Sequence, residues 1–175
     1  MFCYYVVVTI EFIWGDDIMK MKKLIVLAAA AAAALCLTAC GKGGSAKSVD
    51  VAKLADELNS SVITSDTLSE TKSEMLSSIY FFEEGQVTNS KVYMSGNATA
   101  DEIVVVECKD EDTAKAVQEL LKTRVSNQKE LFASYNADEA GKLDKAIVKT
   151  AGKYAVMVVC DDYDKAQSIL KEAGF

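Results

Sequence analysis

Two seven-residue runs, Glu102 to Cys108 and Tyr154 to Cys160, constrain this chain more than any other feature of it. Both are nearly continuous stretches of apolar and β-branched residues, too short for an ordinary buried helix. They read as central strands covered by other elements. Aspartates that can cap a helix follow each run, Asp110 after the first and Asp161 and Asp162 after the second, and apolar positions at helical spacing come next. Val104 to Val117 superposes on Val156 to Ile169 without a gap, with Cys108 on Cys160, Asp110 on Asp162, Asp112 on Asp164, Ala114 on Ala166 and Val117 on Ile169. An internal duplication, or the generic likeness of any two strand-then-capped-helix units, accounts for this equally well. The stretch from Val87 to Ser95, opened by Glu83-Glu84-Gly85, and the stretch from Lys145 to Thr150, closed by Ala151-Gly152, supply a strand ahead of each run. The expectation is an α+β domain with a ββα-ββα arrangement, built on a mainly antiparallel four-stranded sheet with helices on one face.

Two helices are expected before that sheet. Asp50 can cap the first, whose apolar face is Val51, Leu54, Ala55 and Leu58; Glu70 to Ile79 forms the second, with Met75, Leu76 and Ile79 turned inward. The hydroxyl-rich stretch Ser60 to Ser69 between them reads as a loop. The longest helical pattern starts at Asp110 and carries Ala114, Val117, Leu121, Arg124, Gln128, Leu131, Phe132 and Tyr135 at helical spacing until Asn136 to Gly141 ends it. A last helix runs through Leu170, with Gly174 closing it. A single domain over 49–175 follows.

The region before it has a different character. Lys20, Lys22 and Lys23 precede the apolar segment Leu24 to Leu35, and Leu37-Thr38-Ala39-Cys40 follows it. A basic start, about a dozen apolar residues and small residues at a cut site are the three parts of a secretory signal, and a spanning helix needs about 20 apolar residues. The tetrapeptide is a lipobox, so residues 19–39 resemble the signal peptide of bacterial lipoproteins. That resemblance implies cleavage between Ala39 and Cys40 and a diacylglyceryl group on the Cys40 sulfur. Two acyl chains, at about 0.8 kcal/mol per buried CH₂, anchor a protein stably where one is marginal. Gly41 to Ser48, small, polar and glycine-rich, then serves as a flexible tether. Residues 1–18 do not fit the scheme, because they displace the basic region into the interior. Trp14-Gly15-Asp16 must be encoded TGG-GGN-GAY, a purine-rich run just upstream of Met19. The expectation is therefore initiation at Met19 or Met21, with residues 1–18 untranslated.

The net charge is −7; the three lysines and three carboxylates of residues 1–39 cancel, so the 136 residues from Cys40 onward carry −7 as well. No basic patch is present, which argues against nucleic acid as a partner. The chain has no histidine, which removes histidine-dependent triads and the usual zinc sites, and it has no glycine-rich phosphate loop. No catalytic residue and no metal site is expected, and no cofactor beyond the lipid on Cys40. The clusters Asp110-Glu111-Asp112 and Asp161-Asp162-Tyr163-Asp164 suggest calcium, but both sit at helix starts, where capping explains them better. Cys108 and Cys160 each end a strand-like run just before a helix and are the one pair available for a disulfide; a buried free thiol is the commoner fate.

Arg124, Gln128 and Tyr135, with Phe132, share roughly one face of the long helix and are the candidate ligand-binding residues. Together with Glu102-Ile103-Val104-Val105 and Gly152-Lys153-Tyr154 they make the mature chain resemble a family of small lipoproteins of Gram-positive anaerobes, known as a domain of unknown function. That resemblance implies no activity. An inward Arg and Gln bind a carboxylate-bearing ligand or, as buried polar groups need partners, tie helix to sheet. The reading reached here is a non-enzymatic lipoprotein on the extracytoplasmic face of the cell membrane, held by its lipid and binding an envelope protein or peptide. The alternative is a small-ligand receptor or enzyme using Arg124 and nearby carboxylates.

Overall fold

A computed structural model describes residues 48–61 and 63–175. In chain order the elements are α1 (Val51–Ser60), β1 (Leu68–Glu70), α2 (Ser73–Tyr80), β2 (Val87–Ser95), β3 (Glu102–Cys108), α3 (Glu111–Ala133), α4 (Ala137–Leu143), β4 (Ile147–Ala151), β5 (Tyr154–Val159) and α5 (Tyr163–Ala173). The strands form one sheet in the order β1-β2-β3-β5-β4, with every neighbouring pair antiparallel. The class is α+β, and β3 and β5 are its central strands. β5 is buried along its whole length, and β3 along all but Glu107.

The sheet has five strands rather than four. β1 lies in and just after the stretch expected to be a loop, pairing Leu68 with Ser95 and Glu70 with Tyr93. Three residues with one buried side chain give no alternation to read, so tertiary pairing makes this strand. It also separates the two expected N-terminal helices, so the order is helix, strand, helix. Asn136 does not simply end the long helix: it caps α4, its side chain accepting from the Glu139 amide. The aspartate caps stand as expected, with Asp50, Asp110 and Asp162 accepting from the amides of Lys53, Thr113 and Lys165.

The helices do not share one face. Val104, Val106 and Cys108 pack with Ala114, Val117 and Leu121 of α3 and with Leu76 and Tyr80 of α2. Ile103 and Val105 pack on the other side with Val156, Val158 and Cys160, under Leu54 and Leu58 of α1 and Ala166 and Leu170 of α5. The likeness of the two stretches and the register together explain this. Positions 52 apart in the chain bury the same side chains against their own helix, as Val104 and Val106 do for α3 and Val156 and Val158 for α5. Yet β3 pairs Val104 with Met157 and Val105 with Val156, so equivalent residues sit one position out of register. A one-residue offset turns a side chain to the opposite face of a strand. Two similarly patterned strand-helix units therefore send α3 and α5 to opposite sides, and the sheet is sandwiched between helical layers.

The same pairing parts the two cysteines. They end antiparallel neighbours, so they lie at opposite ends of the central strands, separated by about 20 Å at roughly 3.3 Å per residue. Both are free and buried. Burial pushes the Cys108 thiol up to about 11 and the Cys160 thiol to about 12, with nearby carboxylates adding to each. Neither should react with a disulfide reagent at pH 8 until the domain unfolds, since the thiolate is the nucleophile. Thiol labelling with and without denaturant, read at these two positions by peptide mass, tests this; fast labelling of Cys108 or Cys160 in the folded chain would contradict the packing described.

Candidate binding site

Where α2 ends, a helix would ordinarily place glycine, and this chain places Phe81. It adopts the left-handed conformation (φ 60°, ψ 32°) and its amide donates to the Ser77 carbonyl. That turn lets Tyr80 and Phe82, on either side, both point inward and stack with centroids 5.2 Å apart. Phe81 itself is 69% exposed. A non-glycine residue in this region costs about 1–2 kcal/mol, and an exposed ring recovers little of that by burial.

Beside Phe81 lies a groove of about 510 Å³ lined by Ser78, Ile79, Met94, Arg124, Asn127 and Gln128. Arg124, on the middle turns of α3, does not reach out into it as a free cation. Its Nε and Nη2 donate to Glu102 Oε1 at 3.3 Å and Oε2 at 3.0 Å, and the Tyr80 hydroxyl donates to Glu102 Oε1 at 2.6 Å. The Arg124 guanidinium also lies 5.8 Å from the centre of the Tyr80 ring. Glu102 is 6% exposed and Arg124 18%. Burial, followed by the charge of Glu102, pushes the Tyr80 phenol well above its ordinary pKa, so it stays a donor. The pair ties α3 to β3, the second of the two roles open for Arg124.

Of the sequence-derived candidates, the fold brings Arg124 and Gln128 together in this groove, whereas α3 ends at Ala133 and leaves Tyr135 in the turn after it rather than on the helical face expected of it. Tyr135 is exposed, with its ring tilted against Phe132 at 5.2 Å. Ala39 and Cys40 lie outside the described residues. Sequence reasoning missed Phe81. The available signal was an aromatic at the point where Glu83-Glu84-Gly85 breaks the helix, a position that favours glycine.

A second polar cluster lies under α4. Lys142 Nζ is 2.9 Å from Asp101 Oδ1, 3.0 Å from Asp161 Oδ1 and 3.3 Å from Glu139 Oε2. Glu139 Oε2 also accepts from the Ala100 amide, and the Tyr163 hydroxyl donates to the Lys142 carbonyl. Burial acts to lower the Lys142 pKa, but its hydrogen bonds to Asp101 and Asp161 outweigh burial and raise it. An ammonium held this firmly is a structural cation rather than a nucleophile. Among the described residues no group of three or more carboxylates or cysteines has the geometry to hold a metal, and no helix is long and apolar enough to cross a membrane.

Residues 60–160 match a protein family described as a domain of unknown function, DUF4358. No curated protein and no solved structure matches the chain.

Proposed function

We propose a binding role for this chain, which belongs to the DUF4358 family, a domain of unknown function: a lipid-anchored module of the bacterial cell envelope that takes a protein or peptide in the groove beside Phe81. Phe81 is the observation that carries this reading. Its backbone is strained and its ring is left in water, so it breaks two local rules at once at a turn that glycine would make without strain. Residues that break such rules concentrate where a chain meets a ligand. The groove is open and its Arg124 is already neutralised by Glu102, which favours recognition of an apolar side chain over chemistry on a small anion.

The expected trade-off gives a direct test. Phe81→Gly should raise stability by about 0.5–1 kcal/mol, measured by urea unfolding. A loss of stability instead would show that Phe81 serves the fold and would remove the ground for this reading.

The anchor rests on the lipobox and is tested separately. The protein extracted from membranes of its native host should have an intact mass that starts at Cys40 and includes a diacylglyceryl group, and Cys40→Ser should abolish that shift. An unlipidated chain released to the medium would leave a secreted binding module in its place.

A further inference from the structure

We infer that the groove beside Phe81 is built for a cationic protein segment carrying large apolar side chains, an inference that rests on the binding role proposed above. Among the described residues four large apolar side chains are exposed: Met75, Phe81, Leu131 and Tyr135. All four belong to the two chain segments that wall this groove. Met75 lies one turn before Ser78 and Ile79 on α2, Leu131 one turn beyond Asn127 and Gln128 on α3, and Tyr135 two residues past the end of that helix. Exposed apolar residues scattered singly need no explanation; their concentration along one groove marks an interaction surface.

Charge identifies the occupant. Glu74 adjoins Met75, Glu83 and Glu84 follow Phe81 within three residues, and Glu130 adjoins Leu131. None of these four carboxylates has a cation partner in the described structure. The cations along the same stretch of α3 are already held, Lys122 by Glu119, Arg124 by Glu102 and Lys129 by Asp144. Lys72, at the N-cap of α2, is the unpaired cation of the region. The groove itself is lined without a carboxylate, Glu83 and Glu84 line the neighbouring groove beside Phe82, and the unpaired negative charge lies on the segments that flank it. Lysine or arginine on the partner is steered toward such a rim and discriminated from like charge, while apolar anchors supply affinity.

The same charge disfavours the two rival occupants. A second copy would set carboxylates against carboxylates, and an anionic membrane surface would be repelled. Val49 and α1 pack on the face of the sheet opposite to α2 and α3.

A random peptide library panned against the full chain, with the enriched peptides then titrated on wild type and on Phe81→Gly, tests this. Enriched sequences should carry Lys or Arg beside aromatic or aliphatic residues. Their affinity should fall at least about tenfold in Phe81→Gly and about three- to tenfold in Glu83→Gln/Glu84→Gln, with a further decline as salt is raised. Enrichment of acidic or uncharged peptides, still lost in Phe81→Gly, would overturn the cationic partner while leaving the binding role intact. Peptides that bind wild type and Phe81→Gly alike would overturn both. Sedimentation showing a dimer for wild type and a monomer for Phe81→Gly would assign the groove to a second copy, and capture by anionic but not zwitterionic vesicles would assign it to lipid; either result defeats the inference.

Discussion

Lys142→Met should destabilise the domain by about 3–5 kcal/mol at pH 8, and the deficit should shrink as the pH is lowered toward 4. Lys142 is 9% exposed and Asp101 not at all, so removing the ammonium strands a buried carboxylate beside Glu139 and Asp161. The pH dependence follows from three groups. Burial raises the Asp101 pKa, and the hydrogen bond from Lys142 is the strongest influence opposing it; without Lys142 it rises further. A carboxyl whose folded pKa lies above its unfolded value of about 3.9 contributes stability that is fully present below that value and lost as pH rises through the folded one. Acid therefore relieves the variant. Asp161 runs the other way in the wild type: burial raises its pKa, but hydrogen bonds from Lys142 and Ser65 prevail and lower it. Its contribution is present above the unfolded value and lost as pH falls through the folded one, so acid removes from the wild type a stabilisation that depends in part on Lys142 and that the variant has in smaller measure. Lys142 itself, with its pKa raised, contributes fully below about 10.4 and is constant across this range. Urea unfolding at pH 8, 6 and 4.5 measures the gap. A deficit independent of pH would mean that Asp101 is not what Lys142 neutralises, and Lys142→Met/Asp101→Asn should recover most of the loss at pH 8.

The two central strands and the capped helices were legible because their signals are local. A seven-residue run that is apolar and β-branched nearly throughout, or Asp162 three residues ahead of Lys165, needs no distant partner to be read. The layer order was not legible, because it turns on whether Val104 faces Val156 or Met157 across the sheet. That one-residue choice is made by the whole sheet and leaves no trace in either strand. β1 was missed for a related reason: it is a strand because β2 has an edge to offer. At the candidate site, Arg124 and Gln128 could be placed on one helical face from spacing alone. That Arg124 is bound to Glu102, 22 residues earlier on a different element, could not. Phe81 was readable in principle as an aromatic at a glycine position, but only once the end of α2 is fixed by its hydrogen bond to Ser77.

Arg124→Met should cost about 3 kcal/mol, Glu102→Met less, and the double variant should return to within roughly 1 kcal/mol of wild type. The asymmetry comes from what each deletion strands. Without Arg124, the Glu102 carboxylate remains buried with the Tyr80 hydroxyl as its one remaining side-chain donor. Without Glu102, the arginine keeps a long stem and a partly exposed end, so its charge can reach water while the stem stays packed over Tyr80. Replacing both partners by apolar side chains of similar length removes the desolvation penalty along with the attraction. A double-mutant cycle should accordingly give a coupling of at least about 2 kcal/mol, and a value near zero would mean that the two side chains do not share a bond in solution. The double variant also separates the two roles open to Arg124. If it folds near wild-type stability and still takes peptides selected on the wild-type groove, the arginine is a tie between α3 and β3 and the ligand is held by Phe81 and its apolar neighbours. If it folds but no longer binds, the guanidinium touches the ligand directly, and a receptor for a small carboxylate becomes the better reading of this groove.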